Sequence, residues 1–388
     1  MTAMYTMKRG GAYDRFIMMV EAFLERRWEV HCLSLTPIQV QNRWFYNHIL
    51  FYPFRNKESW MAKLTVLFFF PLWSLWIGRR YKIDLIIAFG SLYAFLLGFS
   101  EWLLRRPMVT FMRGNYSFGL RMQNSSRGSL LLNKVIEYYG LLFSDKIIAN
   151  NSSIRDEILK RLGKGRNIDV QVLHNNVPLM TNLEKQDVLQ TRDKYGIPGN
   201  GKVLVTAGIL NRGKNIEILI ECLPQIGIEN LYLLVAGDGS TEADFRYRDA
   251  LQGLAKKSGV EKKVIFTGWL EKGELCKIYG ASDLFVLPSL NEGMPNAMLE
   301  ALGLNLPCLG SNIPGTRDIL NHGELMFNPS DIRMLIQKIE AFFTDVNFSN
   351  RVTSLCQERK FVFFFDWKEK AYEMITETFS HCPGDVSI

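Results

Sequence analysis

The sequence predicts an α/β protein built from two doubly wound domains, each with a parallel sheet covered by helices on both faces. Short apolar runs typical of buried strands alternate with amphipathic segments typical of helices. The alternation stops at a polar segment, 178–200, which contains Pro198-Gly199-Asn200, and then starts again. The chain has 388 residues, which is enough for two cores of ordinary size.

The first half opens with a segment, 1–6, that is barely long enough for a strand, so the sequence leaves open a start further upstream. Apolar residues at helical spacing then predict a first helix: Phe16, Met19, Val20, Phe23 and Leu24. Four short apolar runs predict strands at 29–35, 84–89, 108–111 and 146–149. Ser153 and Asp156 have the spacing of a capping box, which predicts a helix start there.

The second half repeats this architecture without repeating the sequence. Apolar runs predict strands at 202–206, 231–236, 264–266 and 284–287, and the segment 215–222 is typical of a helix. Ligands of doubly wound folds bind at the carboxyl ends of the strands, so we expect the functional site at that edge.

The net charge of +7 is unevenly distributed along the chain. Residues 1–180 carry 24 Lys and Arg against 12 Asp and Glu, a net charge of +12. Residues 181–388 carry 22 against 27, a net charge of −5. A basic half favours contact with phosphate or an anionic membrane, and an ordinary solvated basic surface is the open alternative. No recognisable nucleic-acid-binding module accompanies the charge, so nucleic acid is not expected as a partner.

The six cysteines form no C-x-x-C pair, and the five histidines lack metal-ligand spacing. We therefore expect neither a zinc site nor a disulfide framework, and a reducing, cytoplasmic location.

The longest apolar run, 65–78, has 14 residues. A membrane-spanning helix needs about 20, so this segment is not expected to cross a bilayer. Two interpretations remain open. One is a core helix packed on a sheet, and the other is an interfacial helix whose Trp73 and Trp76 lie at headgroup level beside Arg79 and Arg80.

One block, 283–301, carries most of the functional prediction. It is typical of a buried strand, a turn, and a helix that begins near Pro295. The first peptide NH groups of that helix, at Asn296 and Ala297, have no partner within it and favour an anionic group. Gly293 lets a ligand approach the backbone closely.

Two glutamates of this block, Glu292 and Glu300, are eight residues apart. That spacing is a little over two helical turns, which predicts that both carboxylates face one cleft. A carboxylate accepts paired hydrogen bonds from sugar hydroxyls. In isolation, helix capping by Glu292 and a solvated Glu300 explain the pattern equally well.

The block resembles the signature of glycosyltransferase family 4, in which two glutamates flank seven residues in an E-G-x-P-N-A-x-L-E-A context. The resemblance covers most of the chain and is strongest over residues 200–320. Similar motifs stand in the family's order at Gly10-Gly11, Leu173-His-Asn-Asn176, Thr206-Ala-Gly208, Lys214-Asn215, Val235-Ala-Gly-Asp-Gly239, Phe266-Thr-Gly268, Pro314-Gly315-Thr316 and Phe365-Asp-Trp367.

The resemblance implies a GT-B fold, in which two Rossmann-like domains face each other across a cleft. It implies an N-terminal acceptor-binding domain over 1–180 and a C-terminal nucleotide-sugar-binding domain over 181–365. A final helix at about 366–380 would pack back on the first domain. The family transfers a sugar from a nucleotide-activated donor with retention of anomeric configuration, and it uses no bound metal or other cofactor.

By position in the motifs, the resemblance implies that Glu292 contacts the donor sugar and that Lys214, with Arg212, neutralises the leaving diphosphate. Glu300 would bind the ribose hydroxyls. Gly11 would border the diphosphate, and Gly268 and Trp269 would lie near the base. The remaining implied donor contacts are Gly293, Met294, Pro295, Asn296 and Ala297.

Two departures from the family pattern concern this site. Ile209 stands where the family usually has an arginine. Either Arg212 makes the contact that this arginine makes in the family, or the contact is lost. Arg113 stands shortly after the strand predicted to end at Phe111, where many members place a histidine. An arginine stays protonated and is no general base, so Arg113 is a candidate contact for an acceptor or donor phosphate.

The resemblance thus implies a retaining, metal-independent hexosyltransferase that uses a nucleoside-diphosphate sugar. Aromatic, apolar and basic residues within 40–106 favour a glycan or lipid-linked acceptor and peripheral contact with the cytoplasmic face of an anionic membrane. The product would be a surface polysaccharide, such as lipopolysaccharide, or a glycolipid. The alternative is a non-catalytic protein of the same fold that binds a sugar nucleotide or a glycan. A nicotinamide-dependent oxidoreductase is disfavoured, since no G-x-G-x-x-G follows the first strand.

Overall fold

The computed structural model describes residues 1–4, 11–50, 60–114, 127–163, 168–178 and 183–377. They belong to two compact units, of which the first runs to His174 and resumes at Asp366, and the second is Asn175–Phe365. The boundary precedes the predicted residue 180 because Asn175 and Asn176 hydrogen bond within the second unit, to Asn296 and Phe365.

The described part of the first unit contains a parallel sheet. Its strands are β1 (Thr2–Ala3), β2 (Val30–Ser34), β3 (Phe45–Ile49), β4 (Ile86–Phe89), β5 (Met108–Met112), β6 (Lys146–Ala149) and β7 (Asp169–Val172). They are ordered β3-β2-β1-β4-β5-β6-β7. The strands β2, β4, β5 and β6 are buried along their whole length, as expected for a sheet covered on both faces.

Helices alternate with these strands. They are α1 (Gly11–Leu24), α2 (Trp60–Arg80), α3 (Ser91–Leu104), α4 (Arg127–Leu142) and α5 (Ser152–Leu162). The predicted capping box at Ser153 is wrong, because Asn151 caps α5 instead. The Oδ1 of Asn151 accepts a hydrogen bond from the backbone N of Ile154 at 2.8 Å, and the helix therefore begins before Ser153.

The second unit contains a second parallel sheet. Its strands are β8 (Lys202–Ala207), β9 (Leu231–Ala236), β10 (Val264–Gly268), β11 (Leu284–Leu287), β12 (Cys308–Ser311) and β13 (Met326–Phe327). They are ordered β10-β9-β8-β11-β12-β13. From β8 the chain continues through β9 to β10 at one edge of the sheet, and from β11 it continues through β12 to β13 at the other edge. The switch point therefore lies between these two strands, and the loops that follow them are neighbours.

The helices of the second unit are α6 (Lys185–Lys194), α7 (Glu217–Cys222), α8 (Glu242–Lys257), α9 (Lys272–Gly280), α10 (Asn296–Gly303), α11 (Pro314–Leu320), α12 (Ile332–Thr344) and α13 (Val346–Val362). The last described helix, α14 (Trp367–Thr376), belongs to the first unit and packs on α1, with the rings of Tyr372 and Phe23 5.1 Å apart. Two parallel sheets with alternating helices confirm the predicted doubly wound α/β class.

The helix α2 extends beyond the predicted apolar run at both ends. One of its sides is buried in the core through Val66, Phe70 and Ile77, whereas Phe68 and Trp76 are exposed. The buried side agrees with the core-helix interpretation, and the exposed side leaves the interfacial interpretation open. None of the described helices is both long enough and apolar enough to span a bilayer.

Candidate active site

The loop after β8 positions Lys214 at the carboxyl edge of the second sheet. Gly208 leaves the strand with a φ of 140°, which side-chain-bearing residues rarely adopt. A Cβ on Gly208 would lie 3.2 Å from the Nζ of Lys214. A single 3₁₀ turn, Arg212–Lys214, follows, and the Asn211 side chain caps it by accepting from the backbone N of Gly213 at 2.9 Å. The lysine side chain therefore lies back across the glycine.

The loop after β11 is joined to this lysine loop by hydrogen bonds. The backbone N of Leu290 donates to the carbonyl of Gly213 at 2.8 Å. The side chain of Asn215 donates to the carbonyls of Pro288 and Pro329, each at 3.1 Å. The two loops therefore hold each other in place across the switch point.

Lys214 and Glu292 form an ion pair where the two loops meet. The Nζ of Lys214 lies 2.6 Å from the Oε1 of Glu292, and the side chains are 19% and 14% exposed. The Oγ of Ser289 donates to the same oxygen at 2.8 Å. Both contacts use Oε1, and Oε2 makes no hydrogen bond to the described residues, so it can accept one from a ligand hydroxyl.

The helix α10 begins beside this pair at Asn296, as the predicted start near Pro295 requires, and Pro295 is its N-cap. At this N-cap, no side chain accepts a hydrogen bond from the first NH groups of the helix. The buried side chain of Asn175 donates to the carbonyl of Met294 at 3.1 Å and to the Oδ1 of Asn296 at 2.6 Å. Asn175 thus fixes the approach to the helix, a role that sequence reasoning missed although the residue stands in a recognised motif.

Glu300 lies on α10 and accepts a hydrogen bond from the hydroxyl of Tyr279 at 3.2 Å. Burial, with the charge of Glu300, raises the pKa of Tyr279 well above its ordinary value, so the phenol stays protonated and donates. The predicted two-turn relation between Glu292 and Glu300 is wrong, because Glu292 precedes the helix and lies in a non-helical loop. The spacing of eight residues therefore does not set the direction of either carboxylate.

The predicted base-binding residues, Gly268 and Trp269, lie at the carboxyl end of β10, which is separated from β8 by β9. The backbone N of Gly237, just after β9, donates to the carbonyl of Gly268 at 3.0 Å. A Cβ on Gly237 would lie 1.9 Å from the carbonyl oxygen of Gly208, so only glycine fits where the loops converge. Gly268 ends β10 and Trp269, which follows it, is exposed. These residues and Lys214 occupy the carboxyl edge of one sheet.

Arg212 shares the 3₁₀ turn with Lys214, but its side chain is exposed. Within the described part of the chain it has no ion-pair partner, and Lys214 is the residue that contacts Glu292.

Gly293 packs against Gly315 at the start of α11. A Cβ added to Gly315 would lie 2.3 Å from the carbonyl oxygen of Gly293. Gly315 therefore sets the path of the loop that carries Glu292.

Gly11 and Arg113 are brought together in the first unit. Arg113 follows β5, and its Nη2 approaches the carbonyl of Gly11 at 3.5 Å. Its guanidinium lies over the ring of Phe89 at 5.5 Å, and its Nε is buried without a partner among the described residues. Burial and the nearby charge of Arg15 lower the pKa of Arg113 to about 9, so the group is still charged at neutral pH. A buried donor of this kind suits an anionic oxygen.

The five described cysteines are all free and buried. Among the described residues, no group of three or more His, Cys, Asp or Glu side chains is arranged to hold a metal ion.

Two protein-family models match consecutive parts of the chain. The model of Glycosyltransferase Family 4 matches residues 9–179, and the model of Glycosyl transferases group 1 matches residues 187–355. The chain belongs to glycosyltransferase family 4. The second match contains the Lys214–Glu292 pair and α10, so the site described above lies in a segment that is shared with this family.

Two curated relatives illustrate the similarity of this family 4 chain. An uncharacterized glycosyltransferase of Methanocaldococcus jannaschii is 28% identical over 191 residues, which cover 48% of this chain and 47% of that protein. The UDP-Gal:alpha-D-GlcNAc-diphosphoundecaprenol alpha-1,3-galactosyltransferase of Escherichia coli is 28% identical over 249 residues, which cover 63% of this chain and 62% of that protein. The matched regions thus span less than two thirds of either relative.

The fold is also that of a solved structure. HepE of Anabaena, crystallised in complex with UDP and glucose, matches with a TM-score of 0.78 at 18% identity, over 98% of this chain and 99% of that one. At this identity the likeness shows the fold, which is GT-B.

Proposed function

We propose that this family 4 chain is a glycosyltransferase that moves a hexose from a nucleoside-diphosphate sugar to a glycan or lipid-linked acceptor. The observation that carries the proposal is the Lys214–Glu292 pair, held 2.6 Å apart at the switch point beside the uncapped start of α10. It combines a cation, a hydroxyl-binding carboxylate and helix NH groups, which are the groups that a sugar diphosphate requires.

The proposed chemistry breaks the bond between the anomeric carbon and the diphosphate, and forms a bond from that carbon to the oxygen of an acceptor hydroxyl, whose proton passes to the leaving diphosphate. Negative charge develops on the leaving diphosphate, and donors aimed at that charge lower the barrier. In this proposal Lys214 donates to that charge, and the exposed Arg212 is a second cation on the same turn. We propose that these side chains stabilise the leaving group without a metal, and that configuration is retained, as the family resemblance implies.

Glu292 has two roles in this proposal. Its Oε1 orients Lys214 together with Ser289, and its Oε2 accepts a hydrogen bond from a hydroxyl of the donor sugar. Glu300 binds the ribose, and the hydrogen bond from Tyr279 orients its carboxylate. Arg113 and Gly11 in the first unit are proposed to contact a phosphate of the donor or acceptor.

The acceptor and the location are also proposals. The E. coli relative is named for an acceptor that carries a lipid, diphosphoundecaprenol. The free cysteines of the described chain favour a reducing compartment. We propose that the enzyme works on the cytoplasmic face of a membrane, in the synthesis of a surface polysaccharide or a glycolipid.

The test is the release of nucleoside diphosphate from a panel of sugar nucleotides, with and without a lipid extract that contains acceptors. Release that depends on the extract, together with a labelled glycolipid product, supports the proposal. The anomeric configuration of that product, read by NMR, tests retention. Tight binding of a sugar nucleotide without any turnover would instead favour the non-catalytic binding protein.

Glu300→Ala should weaken donor binding more than it slows transfer. A hydrogen bond to a charged group contributes about 1.5–3 kcal/mol, so the Michaelis constant for the donor should rise roughly 10- to 100-fold while kcat changes little. Tyr279→Phe, which keeps the ring but removes the hydroxyl, should give a smaller effect of the same kind. An unchanged Michaelis constant in Glu300→Ala would rule out the ribose assignment.

A further inference from the structure

Three helices of the first unit carry exposed aromatic residues. The helices α2, α3 and α4 connect strands that follow each other in one direction across the sheet, from β3 to β6, and right-handed connections place them on the same sheet face. α3 packs against both of the others. The outward sides of these three helices therefore belong to one surface.

The side of α2 that faces away from the core is apolar. Phe68, Leu72 and Trp76 follow each other at intervals of one helical turn, and all three are more than half exposed, with Trp76 at 58%. Trp102 on α3 is 63% exposed. On α4, Leu131 is 65% exposed. Exposed large apolar residues on three adjacent helices are more than the scattered single residues of an ordinary surface.

Basic residues border this apolar surface. Arg79 and Arg80 end α2, Arg105 and Arg106 follow α3, and all four side chains are exposed. Both helix ends lie at the same edge of the sheet, because Nη1 of Arg106 is 3.7 Å from the carboxylate of Asp84, just before β4. The apolar surface therefore has a cluster of cations along one edge.

The three helices contain few carboxylates, and the exposed Asp84, which pairs with Arg106, lies outside them. The sequence of α2 contains none, and α3 and α4 contain one each, Glu101 and Glu137. Glu137 is buried and pairs with Arg161 at 2.6 Å. Glu101 is half-buried, and burial followed by the charge of Asp145 raises its pKa to about 7. The exposed charges of these helices are therefore positive.

We propose that the outward side of α2, α3 and α4 docks on the surface of an anionic phospholipid bilayer. Tryptophan and phenylalanine side chains enter the boundary between headgroups and acyl chains, and the arginines at 79, 80, 105 and 106 contact lipid phosphates. An apolar surface with a cationic edge is complementary to such a membrane. The inference rests on the proposed function, since it brings the enzyme to a lipid-linked acceptor.

Vesicle flotation of the intact protein tests this proposal without any substrate. We expect binding to vesicles of phosphatidylethanolamine and phosphatidylglycerol, weaker binding at high salt, and little binding to pure phosphatidylcholine. The combined variant Phe68→Ser, Leu72→Ser and Trp76→Ser should lose on the order of tenfold in affinity for each side chain removed. The combined variant Arg79→Gln and Arg80→Gln should lose about fivefold for each charge.

The matched control is Phe361→Ser with Phe364→Ser. These residues are 75% and 58% exposed but lie in the second unit, so this control should bind vesicles like the wild type. Wild-type protein that stays unbound with anionic vesicles, or a triple variant that binds normally, would overturn the proposal. A dimer in solution that the triple variant abolishes would assign the surface to a second copy and also overturn it.

Turnover separates this proposal from the proposed function. Release of nucleoside diphosphate in detergent solution should be the same in the triple variant and in the wild type, because the substituted residues lie outside the site. If the wild type turns over the donor but ignores vesicles, the docking surface is wrong and the activity stands. If it binds vesicles but turns over no donor, the activity is wrong and the surface stands.

Discussion

Replacing Lys214 by Met, or Glu292 by Gln, is expected to lower the rate of sugar transfer by about 10²–10³. Lys214→Met removes the cation that the proposal places at the leaving diphosphate. Glu292→Gln removes the charge that holds this lysine 2.6 Å away, and it weakens the acceptor offered to the sugar. Steady-state rates of nucleoside diphosphate release with an acceptor extract measure both effects.

Both variants should remain folded. The pair is partly buried, so the loss of one partner costs about 1–3 kcal/mol, which lowers the melting temperature but leaves the circular dichroism spectrum at 25 °C unchanged. Lys194→Met is the control, because Lys194 pairs with Glu274 at 3.3 Å on an exposed surface of the same unit. If Lys214→Met and Glu292→Gln both turned over at the wild-type rate, the assigned site would be wrong.

Gly315→Ala is expected to lower transfer by about 100-fold, although the residue contacts no substrate in the proposal. Its Cβ would lie 2.3 Å from the carbonyl oxygen of Gly293 and 2.5 Å from that of Glu292. These are backbone atoms, so the loop that carries Glu292 must move. A displacement of about 1 Å in a catalytic group can cost 10²-fold in rate, and the strain should lower stability by about 1–3 kcal/mol.

Gly323→Ala is the matched control, since no atom lies within 4 Å of the Cβ added there. Transfer rates and melting temperatures of both variants should be compared. The account requires that Gly315→Ala loses rate at temperatures where it is fully folded. Normal turnover by Gly315→Ala would contradict the idea that the position of this loop governs catalysis.

Most buried strands were predictable from the sequence, whereas the buried strand β12 and several edge strands were not. The strands β6, β9 and β11 have the predicted bounds, because continuous apolar runs are typical of strands covered on both faces. β3, with the sequence FYNHI, and β7, with DVQV, lie at the edges of the first sheet and are largely half-exposed. Their mixed composition gives no such run, so they were missed.

Only the part of the candidate site that lies within the sequence motifs was predictable. The resemblance named Lys214, Glu292 and Glu300, but the contacts that orient them come from distant parts of the chain. Tyr279 reaches Glu300 from α9, and Asn175 reaches Asn296 across 121 residues of sequence. Such pairings depend on the tertiary fold, and neither hydrophobic periodicity nor residue spacing carries information about them.

Hydrogen–deuterium exchange with and without a saturating nucleoside diphosphate tests the central claim most directly. The nucleotide should be the one that raises the melting temperature most in a panel of uridine, guanosine, adenosine and thymidine diphosphates. The account predicts slower amide exchange in peptides that cover 208–215 and 288–297, with no change in α12 or α13. Unchanged exchange in both of these loops, or protection confined to other segments, would contradict it.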